Sequence, residues 1–103
     1  MSKYNKLVRD KIPDIIENNN GKPICRILNE NEYKKELDKK LLEEVKEYLK
    51  DDNVEEIADI LEVLHAILEY KNISVEEIEK IRLSKKEKRG GFEKRIFLEN
   101  VEE

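Results

Sequence analysis

Residues 57–68 form the segment that most constrains the fold, because they are apolar on almost every side of the helix that their spacing predicts. A surface helix normally carries a single apolar stripe, whereas a helix that is apolar all round is buried on more than one side. With only 103 residues, the chain offers few other helices against which this one can be buried. We therefore expect a homo-oligomer, a dimer or a tetramer, in which a partner subunit covers the remaining apolar surface.

Apolar spacing and capping residues predict three further helices. Pro13 suits a first helical turn, and Ser74 begins a capping-box pattern. The polar break at residues 50–53 is short enough to make the two helices that flank it antiparallel neighbours. The four predicted helices cover residues 12–18, 32–50, 54–71 and 74–88. We also expect a short extended segment at residues 22–28 and a short strand at residues 95–98.

The composition indicates one folded domain over residues 1–103. Charged residues make up 45% of the chain and hydrophobic residues 38%, but the charges are mixed and the net charge is only −4. A disordered chain would usually carry fewer aliphatic residues and a larger net charge. The small acidic net charge also does not indicate a protein that binds a nucleic-acid polymer.

Cys25 is the only cysteine, which excludes an intramolecular disulfide and a zinc site built from several cysteines. A chain without disulfides suits a reducing compartment. No apolar run approaches the roughly 20 residues that a membrane-spanning helix needs. The first residues also lack the apolar core of a signal peptide. We therefore expect a cytoplasmic protein with no membrane partner.

Two pairs of acidic residues lie at helical spacing on the helices that flank the polar break. Glu44 and Glu47 are three residues apart on the first helix, and Glu56 and Asp59 are three residues apart on the second. With about 100° of rotation per residue, each pair borders the apolar face of its helix. Antiparallel packing would bring the four carboxylates together, where they would repel one another without a counter-charge. A divalent cation with oxygen ligands, Mg²⁺ first of all, would supply that charge.

The same spacing also arises by chance in a chain with 25 acidic residues. In that alternative the carboxylates are solvated and only form part of a polar helix surface. An EF-hand for Ca²⁺ is not indicated, because the chain has no loop of that pattern.

Three stretches accompany the acidic pairs: YNKLVRDKIP, EEIADILEVLHAI and RGGFEKRIFL. Together they resemble the MazG-like, all-α nucleoside triphosphate pyrophosphohydrolases, in particular the small phosphoribosyl-ATP pyrophosphohydrolase-like branch. With the intervening helices, the resemblance extends over nearly the whole chain. It implies an all-α, compact helical bundle that assembles at least as a dimer.

The resemblance also implies a site and a reaction. Glu44, Glu47, Glu56 and Asp59 would hold Mg²⁺, with Mn²⁺ as a substitute. The reaction would cleave the α–β phosphate bond of a nucleotide and release a monophosphate and pyrophosphate. Glu44 and Glu47 are the expected catalytic residues, and Glu43 or Glu47 would orient the attacking water.

One departure from the family pattern argues against phosphoribosyl-ATP as the physiological substrate. The histidine-synthesis enzyme of the family carries a histidine four positions after its motif aspartate, whereas His65 lies six positions after Asp59. A triphosphate also needs more positive charge than one Mg²⁺ provides, and arginine binds phosphate through two donors. We predict Arg9, Lys11 and Arg89 as substrate-binding residues, the alternative being that they only pair with surface glutamates.

A second function is compatible with the same chain, namely a non-catalytic, oligomeric helical module that binds or regulates a partner. A module that had lost catalysis would be expected to lose at least one of the four acidic ligands. All four are present, which favours the enzyme.

Overall fold

The structure, a computed structural model, describes residues 4–102, and within this range it contains helices and no strand. The elements in chain order are α1 (Ile12–Asn18), α2 (Glu30–Asp51), α3 (Val54–Tyr70) and α4 (Val75–Arg89). The all-α fold class is thus confirmed, and each predicted helix boundary lies within two residues of the observed one. None of the helices in this range is long and apolar enough to span a membrane.

The chain divides into two compact units, Met1–Asn72 and Ile73–Glu103. The first contains α1, α2 and α3, and the second contains α4 and the C-terminal segment. In the second unit, the capping box predicted at Ser74 is present, with the Ser74 hydroxyl accepting from the Glu77 amide at 3.0 Å. One domain over residues 1–103 stays a prediction.

A two-residue connection joins α2 to α3. Asp52 ends α2 in the left-handed conformation, with φ 50°, and the Asn53 side chain then caps α3 by accepting from the Glu56 amide at 3.1 Å. So short a connection makes the two helices antiparallel neighbours, as predicted. Tyr33 near the start of α2 accordingly meets Tyr70 at the end of α3, edge to face, with ring centroids 6.0 Å apart.

The hairpin of α2 and α3 carries the buried side chains of the first unit. Leu37 on α2 is 1% exposed and Val63 on α3 is 8% exposed, and a carboxylate, Glu44, is buried beside them with 7% exposure. Burial of a charged residue in so small a core is unusual, because an ionised carboxylate loses its water there.

A second set of α3 side chains remains exposed, although sequence analysis predicts a helix buried on more than one side. These residues recur at helical spacing, and we call them the α3 apolar face: Val54, Ile57, Leu61 and Leu64. Their exposed fractions run from 38% at Leu64 to 75% at Val54. The first unit therefore covers only one side of α3, and the oligomer that would cover the other stays a prediction.

The strand predicted at residues 95–98 is wrong. Arg95 has a φ of 57°, in the left-handed region that an extended strand excludes, and its amide donates to the Phe92 carbonyl in a turn. Residues 22–28, where an extended segment is expected, lie in neither a helix nor a strand, and their extended conformation stays a prediction. Apolar side chains in these two segments are largely exposed, with Ile24 at 93% and Phe97 at 86%.

Candidate metal centre

Glu44 is the deeply buried carboxylate of the α2–α3 hairpin. Its Oε1 lies 3.4 Å from the Lys40 ammonium one turn earlier, while its Oε2 is buried and has no hydrogen-bond partner among the described residues. Loss of water raises the pKa of Glu44; the Lys40 charge lowers it, and the negative charges of Glu47 and Asp59 raise it further. Ionised Glu44 is therefore costly to the fold unless additional positive charge is bound beside it.

Glu56 occupies the first turn of α3, where its backbone amide is held by the Asn53 cap. Its Oε2 is also buried and has no hydrogen-bond partner in the described part of the chain. Removal from water raises the pKa of the Glu56 carboxyl, and the neighbouring Asp51 and Glu47 carboxylates raise it further. A second carboxylate at the same seam is thus only partly satisfied by the residues that the structure describes.

The hairpin brings three of the four predicted ligands together. One carboxylate oxygen from each of Glu44, Glu56 and Asp59 lies within 4.8 Å of the other two, and we call these residues the acidic cluster. Two ligand oxygens on one octahedral Mg²⁺ are about 3 to 4 Å apart, given bonds of about 2.1 Å. Small side-chain movements would therefore let the cluster bind one such ion. A donor set of oxygen atoms alone also suits a hard divalent cation.

Glu47, the fourth predicted ligand, is half-buried and does not belong to the acidic cluster. Its negative charge nevertheless raises the pKa of both Glu44 and Glu56, so it lies near enough to act on them electrostatically. Its roles as ligand and catalytic residue stay predictions.

Of the predicted substrate-binding residues, Arg9 lies at the cluster itself. Its Nη2 donates to Asp59 Oδ1 at 2.7 Å, although 50 positions separate the two residues in sequence. Lys11 is exposed and enters no ion pair among the described residues. Arg89 lies in the last turn of α4, in the second compact unit, and its role in substrate binding stays a prediction.

Sequence reasoning did not predict a set of ion pairs beside the cluster, in which lysines contact the glutamates of α2. Lys6 donates to Glu43 at 2.8 Å, and Lys40 lies 3.2 Å from Glu43 as well as 3.4 Å from Glu44. The hydrogen bond from Lys6 is the main reason that the pKa of Glu43 is lowered. The spacing of Lys40 and Glu44, four residues apart on one helix, was a signal for their contact. The contact of Lys6 with Glu43 has no such local signal.

Comparisons of the chain with protein-family models, with curated proteins and with solved structures found no match in any of the three.

Proposed function

We propose that this protein is a Mg²⁺-dependent, MazG-like nucleotide pyrophosphohydrolase. It would cleave the α–β phosphate bond of a nucleoside triphosphate or a related nucleotide and release a monophosphate and pyrophosphate. The observation that carries the proposal is the pair of buried oxygens, Oε2 of Glu44 and Oε2 of Glu56, that lack hydrogen-bond partners in the described structure. With Asp59, these residues form a cluster that one cation can satisfy.

The burial of Glu44 argues against the alternative in which the carboxylates are only solvated residues on a polar helix surface. Solvated glutamates would be exposed, and water would hydrogen-bond to both of their oxygens. Glu44 is only 7% exposed, and the pKa of its carboxyl is raised by desolvation. A buried carboxylate that costs stability is typical of a site kept for binding or catalysis.

The chain's residues divide the work as follows in the proposed reaction. Glu44, Glu56 and Asp59 would hold Mg²⁺ or Mn²⁺. The bound ion would offset phosphate charge and help to activate the attacking water. Glu47, beside the cluster, accepts the proton of the attacking water. The water oxygen bonds to one phosphorus of the α–β linkage as the bond from that phosphorus to the bridging oxygen breaks. Glu43 is less suited to the base role, because Lys6 and Lys40 already occupy its carboxylate.

Positive side chains would bind the remaining phosphate charge. Arg9 is already at the cluster, and a guanidinium offers paired donors that match phosphate oxygens. Lys11 is proposed to add to this charge.

The proposed active form is a homo-oligomer, dimer or tetramer. Its support is the α3 apolar face, whose large side chains are exposed at helical spacing on the helix that also carries Glu56 and Asp59. A second copy of the chain would bury this face and stiffen the helix that presents two of the three cluster residues.

The exposed apolar side chains also favour the competing function, a non-catalytic module that binds a partner. The two functions differ in turnover. The deciding experiment incubates the purified chain with canonical, modified and deoxynucleoside triphosphates and phosphoribosyl-ATP, with Mg²⁺ or with EDTA. We expect Mg²⁺-dependent release of pyrophosphate together with a monophosphate. No release from a folded chain, together with no binding of Mg²⁺ or Mn²⁺, would contradict the proposed enzyme and favour the module.

A further inference from the structure

Besides the Lys40 ammonium at Glu44, the acidic cluster is in contact with a second positive charge that belongs to the chain itself. The guanidinium of Arg9, in the segment before α1, donates through Nη2 to Oδ1 of Asp59 at 2.7 Å. The contact joins residues 50 positions apart, so it is made by the fold and not by local helix geometry.

Arg9 and Lys40 together do not satisfy the cluster. Oε2 of Glu44 and Oε2 of Glu56 remain without a hydrogen-bond partner in the described part of the chain. At the same time the guanidinium occupies an oxygen of Asp59, which is one of the residues that would bind the cation. Two positive groups that approach the same carboxylate repel each other strongly at distances of a few ångströms. A cation that binds the Asp59 oxygen contacted by Arg9 would therefore compete with Arg9.

We propose that Arg9 is a counter-ion that the chain supplies to its own acidic cluster, and that a divalent cation must displace Arg9 from Asp59 in order to bind. The displaced guanidinium is then free for an anion, and its fork of donors suits a phosphate group of the substrate. Loading of the cation is thereby coupled to the capture of the nucleotide. This inference rests on the proposed function, because it takes the acidic cluster as the cation site.

Displacement of Arg9 does not require its segment to leave the hairpin. Lys6, in the same segment, is tied to Glu43 at 2.8 Å, and neither of these residues belongs to the cluster. This second ion pair keeps the segment beside α2 when the Arg9 side chain turns away. The change is therefore confined to one side chain, which makes it testable by a single substitution.

The chain offers a matched control for that substitution. Arg26 pairs with Glu32 at 2.7 Å, the same distance as Arg9 with Asp59, and both carboxylate side chains are 39% exposed. Glu32 lies on α2 twelve residues before Glu44, which at 1.5 Å per residue places it about 18 Å away along the helix. Arg26→Gln thus removes an arginine–carboxylate ion pair, here one with two hydrogen bonds, at a distance from the cluster.

The experiment titrates the wild-type chain, Arg9→Gln and Arg26→Gln with Mg²⁺ by calorimetry, at low ionic strength and without nucleotide. We expect Arg9→Gln to bind Mg²⁺ about two- to fivefold more tightly than the wild type, since an exposed ion pair of ordinary strength no longer competes. Arg26→Gln should bind it with wild-type affinity. Equal or weaker binding by Arg9→Gln would overturn the inference.

A second measurement on the wild type does not depend on the folding of any variant. The Nε–H signal of Arg9 is followed by NMR during the Mg²⁺ titration, with that of Arg26 as reference. We expect the Arg9 signal to shift with the same midpoint as cation binding, whereas an unchanged Arg9 signal overturns the inference. A wild type that binds Mg²⁺ without these effects leaves the proposed function standing, and a wild type that binds no Mg²⁺ overturns both.

Discussion

At the scale of single residues, the feature that most distinguishes this chain is the buried carboxylate of Glu44, which the described residues satisfy only in part. One carboxylate oxygen of Glu44 forms an ion pair with Lys40, and the other has no hydrogen-bond partner among the described residues. Core positions usually carry apolar side chains, and a buried unpaired polar atom costs about 1 to 3 kcal/mol. Glu44 therefore lowers the stability of the metal-free fold, and the proposed function gives a reason for keeping it.

The first prediction follows from this cost. Glu44→Gln and Asp59→Asn should each abolish hydrolysis and weaken Mg²⁺ binding by at least tenfold, because each removes a charged ligand. Neither should unfold the chain, and Glu44→Gln should raise its stability in EDTA by up to about 1 kcal/mol, since a buried charge is removed. Pyrophosphate release and thermal melts with and without Mg²⁺ measure both effects.

The matched control is Glu62→Gln, which removes an exposed carboxylate from α3 outside the acidic cluster. It should leave hydrolysis, Mg²⁺ affinity and melting temperature unchanged. Hydrolysis at the wild-type rate by both Glu44→Gln and Asp59→Asn would show that the site is wrongly assigned.

The second prediction concerns pH. The fold raises the pKa of Glu44 and of Glu56, in both cases first through desolvation. A raised pKa means that the metal-free fold favours the protonated carboxyls, so their contribution to stability is present at low pH and is lost as the pH rises through the folded-state pKa. Cation binding needs the ionised carboxylates and therefore has the opposite dependence.

We accordingly expect Mg²⁺ affinity to rise with pH above the ordinary glutamate range, and binding in that region to release protons. Calorimetry in buffers of different ionisation enthalpy, over pH 5 to 7.5, counts the released protons. An affinity that does not change over this range would contradict the raised pKa values. Glu44→Gln should remove part of the proton release in any variant that still binds the ion.

At the scale of elements, the start of α3 combines a stability feature with a functional one. Asn53, the residue that caps α3, accepts a hydrogen bond from the backbone amide of Glu56. The cap therefore contacts a residue of the acidic cluster directly. The start of α2 has an equivalent cap, in which the Asn29 side chain accepts from the Glu32 amide at 2.9 Å. Because both caps are asparagines, a comparison of their substitutions separates the effect on stability from the effect on the acidic cluster.

The third prediction compares these caps. Asn53→Ala and Asn29→Ala should each destabilise the fold by about 1 kcal/mol, the usual cost of an asparagine cap. Asn53→Ala alone should also weaken Mg²⁺ binding severalfold, because the first turn of α3 frays and displaces Glu56. Urea unfolding gives the stabilities and calorimetry gives the affinities. Equal Mg²⁺ affinity in the two variants would show that the cap does not position Glu56.

At the scale of the whole molecule, the exposed α3 apolar face is the feature to be explained. Burial of one large aliphatic side chain is worth about 1.5 to 3 kcal/mol, so four exposed ones represent a substantial stabilisation that the first unit leaves unused. A second copy of the chain would use it, and the face lies on the helix that carries Glu56 and Asp59. Assembly and activity should therefore be linked.

The fourth prediction tests this link with matched substitutions. Leu61→Glu on the α3 apolar face should convert an oligomer into monomers and lower hydrolysis, because a charge cannot be buried between two copies without a partner. Leu42→Glu on α2 makes the same change at a position with similar exposure, 61% against 51%, and should leave the oligomer intact. Light scattering after gel filtration measures the mass. A wild type that is monomeric at all concentrations would contradict the predicted assembly.

Much of the fold could be predicted from local sequence patterns. Apolar spacing and the capping box at Ser74 act within a few residues, and the four helices are predicted from such signals to within two residues of the observed boundaries. The short break between α2 and α3 makes those helices neighbours, and three of the four predicted ligands therefore meet in one cluster. Each of these outcomes depends on interactions between residues close in sequence.

Contacts between residues far apart in sequence could not be predicted in this way. Nothing local selects Asp59 as the partner of Arg9, or Glu43 as the partner of Lys6, because the chain contains many alternative charges for each. The strand expected at residues 95–98 failed for a related reason: a strand needs a partner strand for its backbone, and its own residues do not specify one. Helices satisfy their backbones internally and follow from the order of residues, whereas pairing between distant segments is settled when the chain folds.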